Sequence, residues 1–467
     1  MALSRGKKLA LGFVVALVAT AQIPTQEVIP SDPVERATPV DLSAFLPTNP
    51  PRKINVLFIH HSCGGQLLAN IGEEYEYARC IYKAHENGGE LRKKLLDAGF
   101  AVNEASYGSV VGDKTDLFDW EPKFRKEMKR IVDTRMNDSG FQGSEVNEVV
   151  VFKSCYPNNR FEAEDEHPPA HAEDEPDSGV ERTLPAPVAE AAPEGHGEHG
   201  AAHGEGHGEG HGEHAEEDVP PLTVANAKKA LASLLPIFQQ NPKTLFVYMT
   251  APPNAGVLPK QPLWKKLVKK GWHKWRKTPT EVDDAKAMGA RAREFNSWVV
   301  DKDGWLKDYP LKNVLVFDYY DVLTDRGASN FLVAPFASKD DNTDEHPNYD
   351  GNMSATDFFL PFINRAVQHA GLVPPQYTPA AKAAMAAAEE AAKAAAEAAK
   401  AAEAAIAAGL EPPAEASAED PKTAKEEVPD HLLTPLERKL RGREKAKPNL
   451  KSGTLSGQPV APGAAHE

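Results

Sequence analysis

Three side chains, one of them far from the other two in the chain, have the chemistry to break an ester together: Ser62, His346 and Asp344. A serine hydroxyl is a weak nucleophile until a positioned base takes its proton, and that base needs a carboxylate to orient it. The segment Asp344-Glu345-His346-Pro347-Asn348 supplies imidazole and carboxylate within three residues, with Asp341 as a second candidate carboxylate. Ser62 taken alone reads equally well as a turn residue, because Ser-Cys-Gly-Gly closes an apolar run. The distant pair makes it a candidate nucleophile.

The elements around these residues alternate. Ile54, Val56, Leu57, Phe58 and Ile59 read as the first strand of a parallel sheet, with Ser62 just past its carboxyl end, where open α/β sheets bind ligands. A helix over Glu86–Ala98, a strand over Phe100–Ala105, a helix over Trp120–Met136 and a strand over Val146–Phe152 follow. After an insertion, a helix carries Ala227, Leu231, Leu234, Leu235 and Phe238, and Lys243–Thr250 is a fourth strand. Thr280–Val300 is a helix, Asn313–Asp318 a fifth strand, and Ser354–Ala370 a closing helix after the loop that delivers His346. Alternation of this kind predicts a parallel sheet covered on both faces.

Taken in order, these blocks resemble the SGNH (GDSL-like) hydrolase family. Ser62, in His60-His61-Ser62-Cys63, matches the first block; Gly112, in Tyr107-Gly108-Ser109-Val110-Val111-Gly112, is similar to the second; His346-Pro347 looks like the fifth. The third-block Gly-x-Asn-Asp is replaced by Lys153-Ser154-Cys155-Tyr156-Pro157-Asn158-Asn159, where Asn158 is the counterpart, and Thr343 stands three residues before the His, so that Asp344 or Asp341 serves. The resemblance covers about Pro51–Leu372, less two insertions. It implies a three-layer α/β/α, flavodoxin-like domain with about five parallel strands and no cofactor. It also implies Ser62, His346 and Asp344 as the catalytic relay, and an oxyanion site made by the N–H groups of Ser62 and Gly112 and the Asn158 side chain. Cys63 and Cys155 would follow adjacent strands in that fold, close enough to bridge. Three cysteines, Cys63, Cys80 and Cys155, leave one thiol over in any pairing.

Composition divides the rest. Residues 1–21 carry Arg5, Lys7 and Lys8, an apolar run from Leu9 to Ala19 and small residues at Ala19-Thr20-Ala21, the pattern of a secretory signal, which predicts a secreted or periplasmic protein. Residues 22–51 hold seven prolines and read as an extended linker to a domain at 52–372. Within 162–218 there are eighteen acidic residues, one arginine and eight histidines, a charge of −17 against −15 for the chain, so the remainder is near neutral. That insertion reads as disordered, with at most loose binding of Zn, Ni or Cu. A second insertion, 259–279, carries eight Lys or Arg and no acid between Lys260 and Lys277; Trp264, Trp272 and Trp275 on one helical face fit an anionic envelope surface or packing on the body. Residues 380–408 are Ala-rich and read as a helical spacer, and 409–467 as a disordered tail with a basic cluster at Arg438–Lys447.

The activity these features predict is hydrolysis or transfer of an acyl or O-acetyl ester of the cell envelope or of an extracellular glycan. Two alternatives stand beside it: a catalytically inactive module that binds an envelope polymer, and a zinc centre built from His60, His61, Cys63, Cys155 and His346. No dinucleotide fingerprint, phosphate loop or nucleic-acid module is visible.

Overall fold

The computed structural model describes residues 24–164 except 32, 219–262, 265, 269, 273, 276, 278–338 and 344–407. Five strands pair in parallel: β1 Ile54–Ile59, β2 Phe100–Ala105, β3 Val149–Phe152, β4 Leu245–Met249 and β5 Val314–Phe317, in the spatial order β5-β4-β3-β1-β2. β1, β3, β4 and β5 are short, largely apolar runs because both of their faces are covered, whereas β2 also carries Asn103 and Glu104. Alternate residues feed two cores. Val56, Phe58, Val151, Val247 and Phe317 meet one layer of helices, while Leu57, Ile59, Val150, Phe152, Phe246 and Tyr248 meet the other.

The helices include α1 Cys63–Leu68, α2 Leu91–Asp97, α3 Trp120–Asp133, α4 Val224–Ala232, α5 Glu281–Val300 and α6 Tyr349–His369, with single short turns of helix at Leu235–Gln239 and Tyr319–Leu323. Leu91, Leu95, Phe359, Ile363 and Val367 of α2 and α6 pack on the first face; Phe124, Leu231, Phe295 and Val299 of α3, α4 and α5 pack on the second. The α5 start is set locally. Thr280 Oγ1 accepts from Asp283 N–H, and Asp283 Oδ2 accepts from Thr280 N–H at 2.9 Å, a reciprocal cap that satisfies two amides.

Several sequence expectations are corrected. Among the described residues the sheet has seven strands, since Thr134–Met136 adds to β2 in parallel and Ser139–Gly140 adds to that strand antiparallel. The helix expected to Met136 therefore stops at Asp133, where Thr134 leaves in an extended conformation. An unforeseen three-stranded sheet of Asn70–Ile71, Tyr75–Ala78 and Ile81–His85 separates α1 from α2. The proline-rich lead is extended as expected, but it is strapped to the body. Pro24–Val28 pairs with Val257–Pro262, Lys302 N–H donates to Thr38 O at 2.7 Å, and Leu46 N–H donates to Gln376 O at 2.7 Å. Proline removes amide donors, so beyond the short ladder at Pro24–Val28 this segment is held by single bonds to the body.

Val257–Pro262 is strand, so the basic helix expected from Lys260 begins later; Lys265, Lys269, His273 and Arg276 are helical, and Trp264, Trp272 and Trp275 lie outside the described residues. So do residues 1–23, 165–218 and 408–467, and with them the signal, the body of the acidic insertion and the tail. The Ala-rich segment forms α7 Pro379–Ala407, and the chain divides into compact units within it, after Met385. Among the described residues no helix is long and apolar enough to cross a membrane.

Candidate active site

Register decides which loops meet. Ile59 of β1 lies between Ala105 of β2 and Phe152 of β3, so residues 60–63 and 153–155 leave the sheet side by side. Ser62 then takes φ 44° and ψ −110°, a conformation that is costly for a residue with a Cβ. It stands at the N-cap of α1, yet its side chain makes no bond to the helix amides. The two glycines that follow are required by close approach: a Cβ at Gly64 would lie 2.6 Å from His60 Cβ, and one at Gly65 would lie 2.0 Å from Cys80 O.

With its hydroxyl free of the helix, Ser62 Oγ donates to His346 Nε2. His346 Nδ1–H donates to Asp344 Oδ1 at 2.7 Å, and the same oxygen accepts the His346 backbone N–H at 3.0 Å. Burial opposes charge on His346, but its hydrogen bond to Asp344 and the aspartate's charge outweigh burial and raise the imidazole above its usual value. Asp344 is held below the usual carboxylate range: burial pushes it up, and the two hydrogen bonds from His346 bring it down further. The relay is therefore polarised from Asp344 through His346 to Ser62. Asp341 lies outside the described residues.

The loop carrying His346 is tied down by asparagines. Asn348 Nδ2 donates to Pro335 O at 2.9 Å and Ala337 O at 2.8 Å, while its Oδ1 caps α6 by accepting Gly351 N–H at 3.0 Å. Asn352 Nδ2 donates to Pro347 O at 3.1 Å and Asn87 O at 2.8 Å, and its Oδ1 accepts from Tyr319 at 3.1 Å. Glu345 reaches the other side, pairing with Arg160 at 2.5 Å.

Behind Ser62 is a buried charge cluster that the sequence pattern did not reveal. His60 Nε2–H donates to Glu104 Oε2 at 3.1 Å, and Arg92 holds both oxygens of Glu104 at 2.6 and 2.8 Å. Burial works against a charge on Glu104, yet these hydrogen bonds hold its carboxyl down at about 2. Burial lowers both His60 and His61 below the usual imidazole value, so both are neutral near pH 7. His61 instead stacks on Tyr107, ring centroids 4.5 Å apart. Beside Ser62 these rings open into a cleft of about 310 Å³ lined by His61, Tyr107, Thr115, Asp116, Cys155 and Tyr156 among others.

Of the expected oxyanion groups, Gly112 turns its N–H elsewhere and Asn158 keeps one N–H free. Gly112 N–H donates to Ser109 Oγ at 2.9 Å, and a Cβ there would lie 2.0 Å from Ser106 O, so this glycine closes its own turn and does not offer its amide to Ser62. Asn158 ties two loops together: Oδ1 accepts from Leu117 N–H at 2.8 Å, and Nδ2 donates to Asp116 Oδ1 at 2.7 Å, leaving one N–H on that nitrogen. The zinc reading fares no better. His60 faces Glu104, and among the described residues no group of three His, Cys, Asp or Glu could hold a metal ion.

No protein-family model matches the chain, and no curated protein matches it. Among solved structures, a carbohydrate esterase family 2 enzyme with a carbohydrate-binding domain, from Corynascus thermopiles (Myceliophthora fergusii), aligns at 14% identity. The alignment covers 68% of this chain and 67% of that one, with a TM-score of 0.30.

Proposed function

We propose that this chain is a serine ester hydrolase of the SGNH type, acting on an acyl or O-acetyl ester of the cell envelope or of an extracellular glycan. The observation that carries the reading is the unbroken relay from Asp344 through His346 to a strained serine that no helix amide claims. The strand order, in which the second strand flanks the first and the third to fifth follow on its other side, supports the flavodoxin-like topology of the family the sequence resembles.

In the proposed mechanism Ser62 Oγ attacks the ester carbonyl as His346 Nε2 takes its proton. His346 then gives that proton to the leaving alcohol, and an acyl group remains on Ser62. Water, deprotonated by His346, releases the acid. Asp344 keeps the Nδ1 proton facing it and stabilises the imidazolium. The oxyanion falls to the Ser62 backbone N–H and the remaining Nδ2 hydrogen of Asn158. The rings of Tyr107 and Tyr156 that line the cleft suit a sugar or another partly apolar alcohol. The pattern in residues 1–21 supports export, and a basic insertion at 259–279 suits an anionic envelope surface, with Trp264, Trp272 and Trp275 as its apolar side. The test is release of acetate from 4-nitrophenyl acetate and from acetylated xylan by the full chain and by Ser62→Ala. Turnover that the substitution removes is the expected result; turnover that survives it contradicts the assignment.

A further inference from the structure

The loops leaving β1 and β3 each carry a cysteine, and the two sulfurs, Cys63 Sγ and Cys155 Sγ, meet at 3.7 Å. Both residues are buried, Cys63 completely, but Cys155 forms part of the cleft wall next to Ser62. A reagent that enters the cleft therefore meets Cys155, with Cys63 directly behind it. Bond formation needs the sulfurs to close from 3.7 Å to about 2.05 Å.

A third group shares the site. Lys153 is 2% exposed, and its Nζ has no hydrogen-bond partner among the described residues. An unpartnered buried amine is costly, and a thiolate on the neighbouring pair would give it a partner. Burial raises the Cys63 thiol, but Cys155 and the Lys153 charge together bring it below its ordinary value. Its partner moves the other way: the hydrogen bond with Cys63, and then burial, push Cys155 up to about 12. The pair thus gives up one proton readily and keeps the second.

We propose that Cys63 and Cys155 form a redox site, a reversible disulfide made by exchange with a low-molecular-weight disulfide, which clamps the loop after β1 to the loop after β3. The pair's thiolate attacks one sulfur of the incoming disulfide, whose S–S bond breaks, and the released thiolate takes up a proton. The second cysteine then gives up its proton and attacks the cysteine sulfur of the mixed disulfide, expelling the other thiol. Two cysteine thiols are oxidised to one disulfide, and one external disulfide is reduced to two thiols. Cys80 stays outside this exchange, in the turn between Tyr75–Ala78 and Ile81–His85, with its sulfur accepting from the Tyr82 hydroxyl at 3.9 Å.

The test treats the full chain with oxidised glutathione, alkylates it under denaturing conditions, and maps the peptides. The expected result is a linked peptide pair containing Cys63 and Cys155, reversed by dithiothreitol. The oxidised chain should also melt about 5 °C or more above the reduced one, because the bridge closes a long loop of the unfolded chain. Cys155→Ala should show neither the linkage nor the shift. All three cysteines alkylated after oxidation, a linkage through Cys80, or a linkage with no rise in Tm would each overturn the proposal. None of these readouts depends on hydrolysis by Ser62.

Discussion

The two halves of the candidate site are built from opposite materials. Ser62 leaves the central strand of the sheet and rests on fully buried residues: His60, Glu104 and Lys153 are each 3% exposed or less. His346 and Asp344 ride on a loop, with side chains 25% and 41% exposed, and are held by asparagine bonds to neighbouring carbonyls. The nucleophile is thus positioned by the fold itself, and the base by a small set of removable hydrogen bonds. A buried ion pair left without one partner is costly, whereas an exposed loop bond is cheap to lose in stability and felt only through geometry. Damage behind Ser62 should therefore unfold the protein, and damage around His346 should slow it.

The largest effect should fall behind the nucleophile. Glu104→Gln leaves the Arg92 guanidinium without its counter-charge and should cost about 3–5 kcal/mol of stability by urea unfolding; a loss under about 1 kcal/mol would dissolve the contrast between the halves. Acid should act through the same group. Glu104 is ionised in the fold at pH values where it would be protonated in the unfolded chain. Its contribution is thus complete above the unfolded value near 4.5 and lost as pH falls towards about 2.

Around the base, the expected changes are in rate. Asp344→Asn should lower kcat by about 10²–10³-fold, less than for a fully buried triad aspartate because water can partly replace an exposed carboxylate. It should leave the urea midpoint almost unchanged. The pH profile gives the sign: His346 must be neutral to act as base, and its imidazole lies above the usual 6.5, so kcat/KM should rise with pH through an inflection above that value. Asp344→Asn should move the inflection down. The stabilising His346–Asp344 pair runs oppositely, complete below the unfolded histidine value and lost as pH rises through the folded one.

Asn158→Ala should lower kcat by about 10²-fold if the free Nδ2 hydrogen meets the oxyanion. An unchanged kcat with a lowered Tm would make Asn158 purely a tie between the loops at 115–117 and 155–159. The smallest effect belongs to Asn348→Ala, which removes a helix cap and two loop bonds at a cost of about 1–2 kcal/mol. Its kcat should drop about tenfold with KM little changed, since the residue touches the His346 loop and not the cleft.

Much of this site was legible in the sequence because it depends on local order. The apolar run before Ser62 and the Asp344-x-His346 spacing are short-range patterns, and the strands at Phe100–Ala105 and Val314–Phe317 fall where alternation predicts them. Glu104 was not legible. In Phe-Ala-Val-Asn-Glu-Ala a carboxylate reads as an exposed position, and its burial depends on His60 from the adjacent strand and Arg92 from a helix. Lys153 is hidden for the same reason. Gly112 and Asn158 show a different gap: spacing locates a glycine or an asparagine, but which way its N–H points is set by Ser109 Oγ in one case and Asp116 in the other. The strap at 33–49 escaped because proline-rich chain carries no periodicity from which packing can be read.

One measurement bears most directly on the relay. A fluorophosphonate probe, reacted with the full chain and followed by peptide mapping, should label Ser62 in the wild type, lose that label in Ser62→Ala, and react at least about 10³-fold more slowly in His346→Ala. Folded wild-type protein that carries no label at Ser62, or labelling that proceeds equally well without His346, would contradict the account.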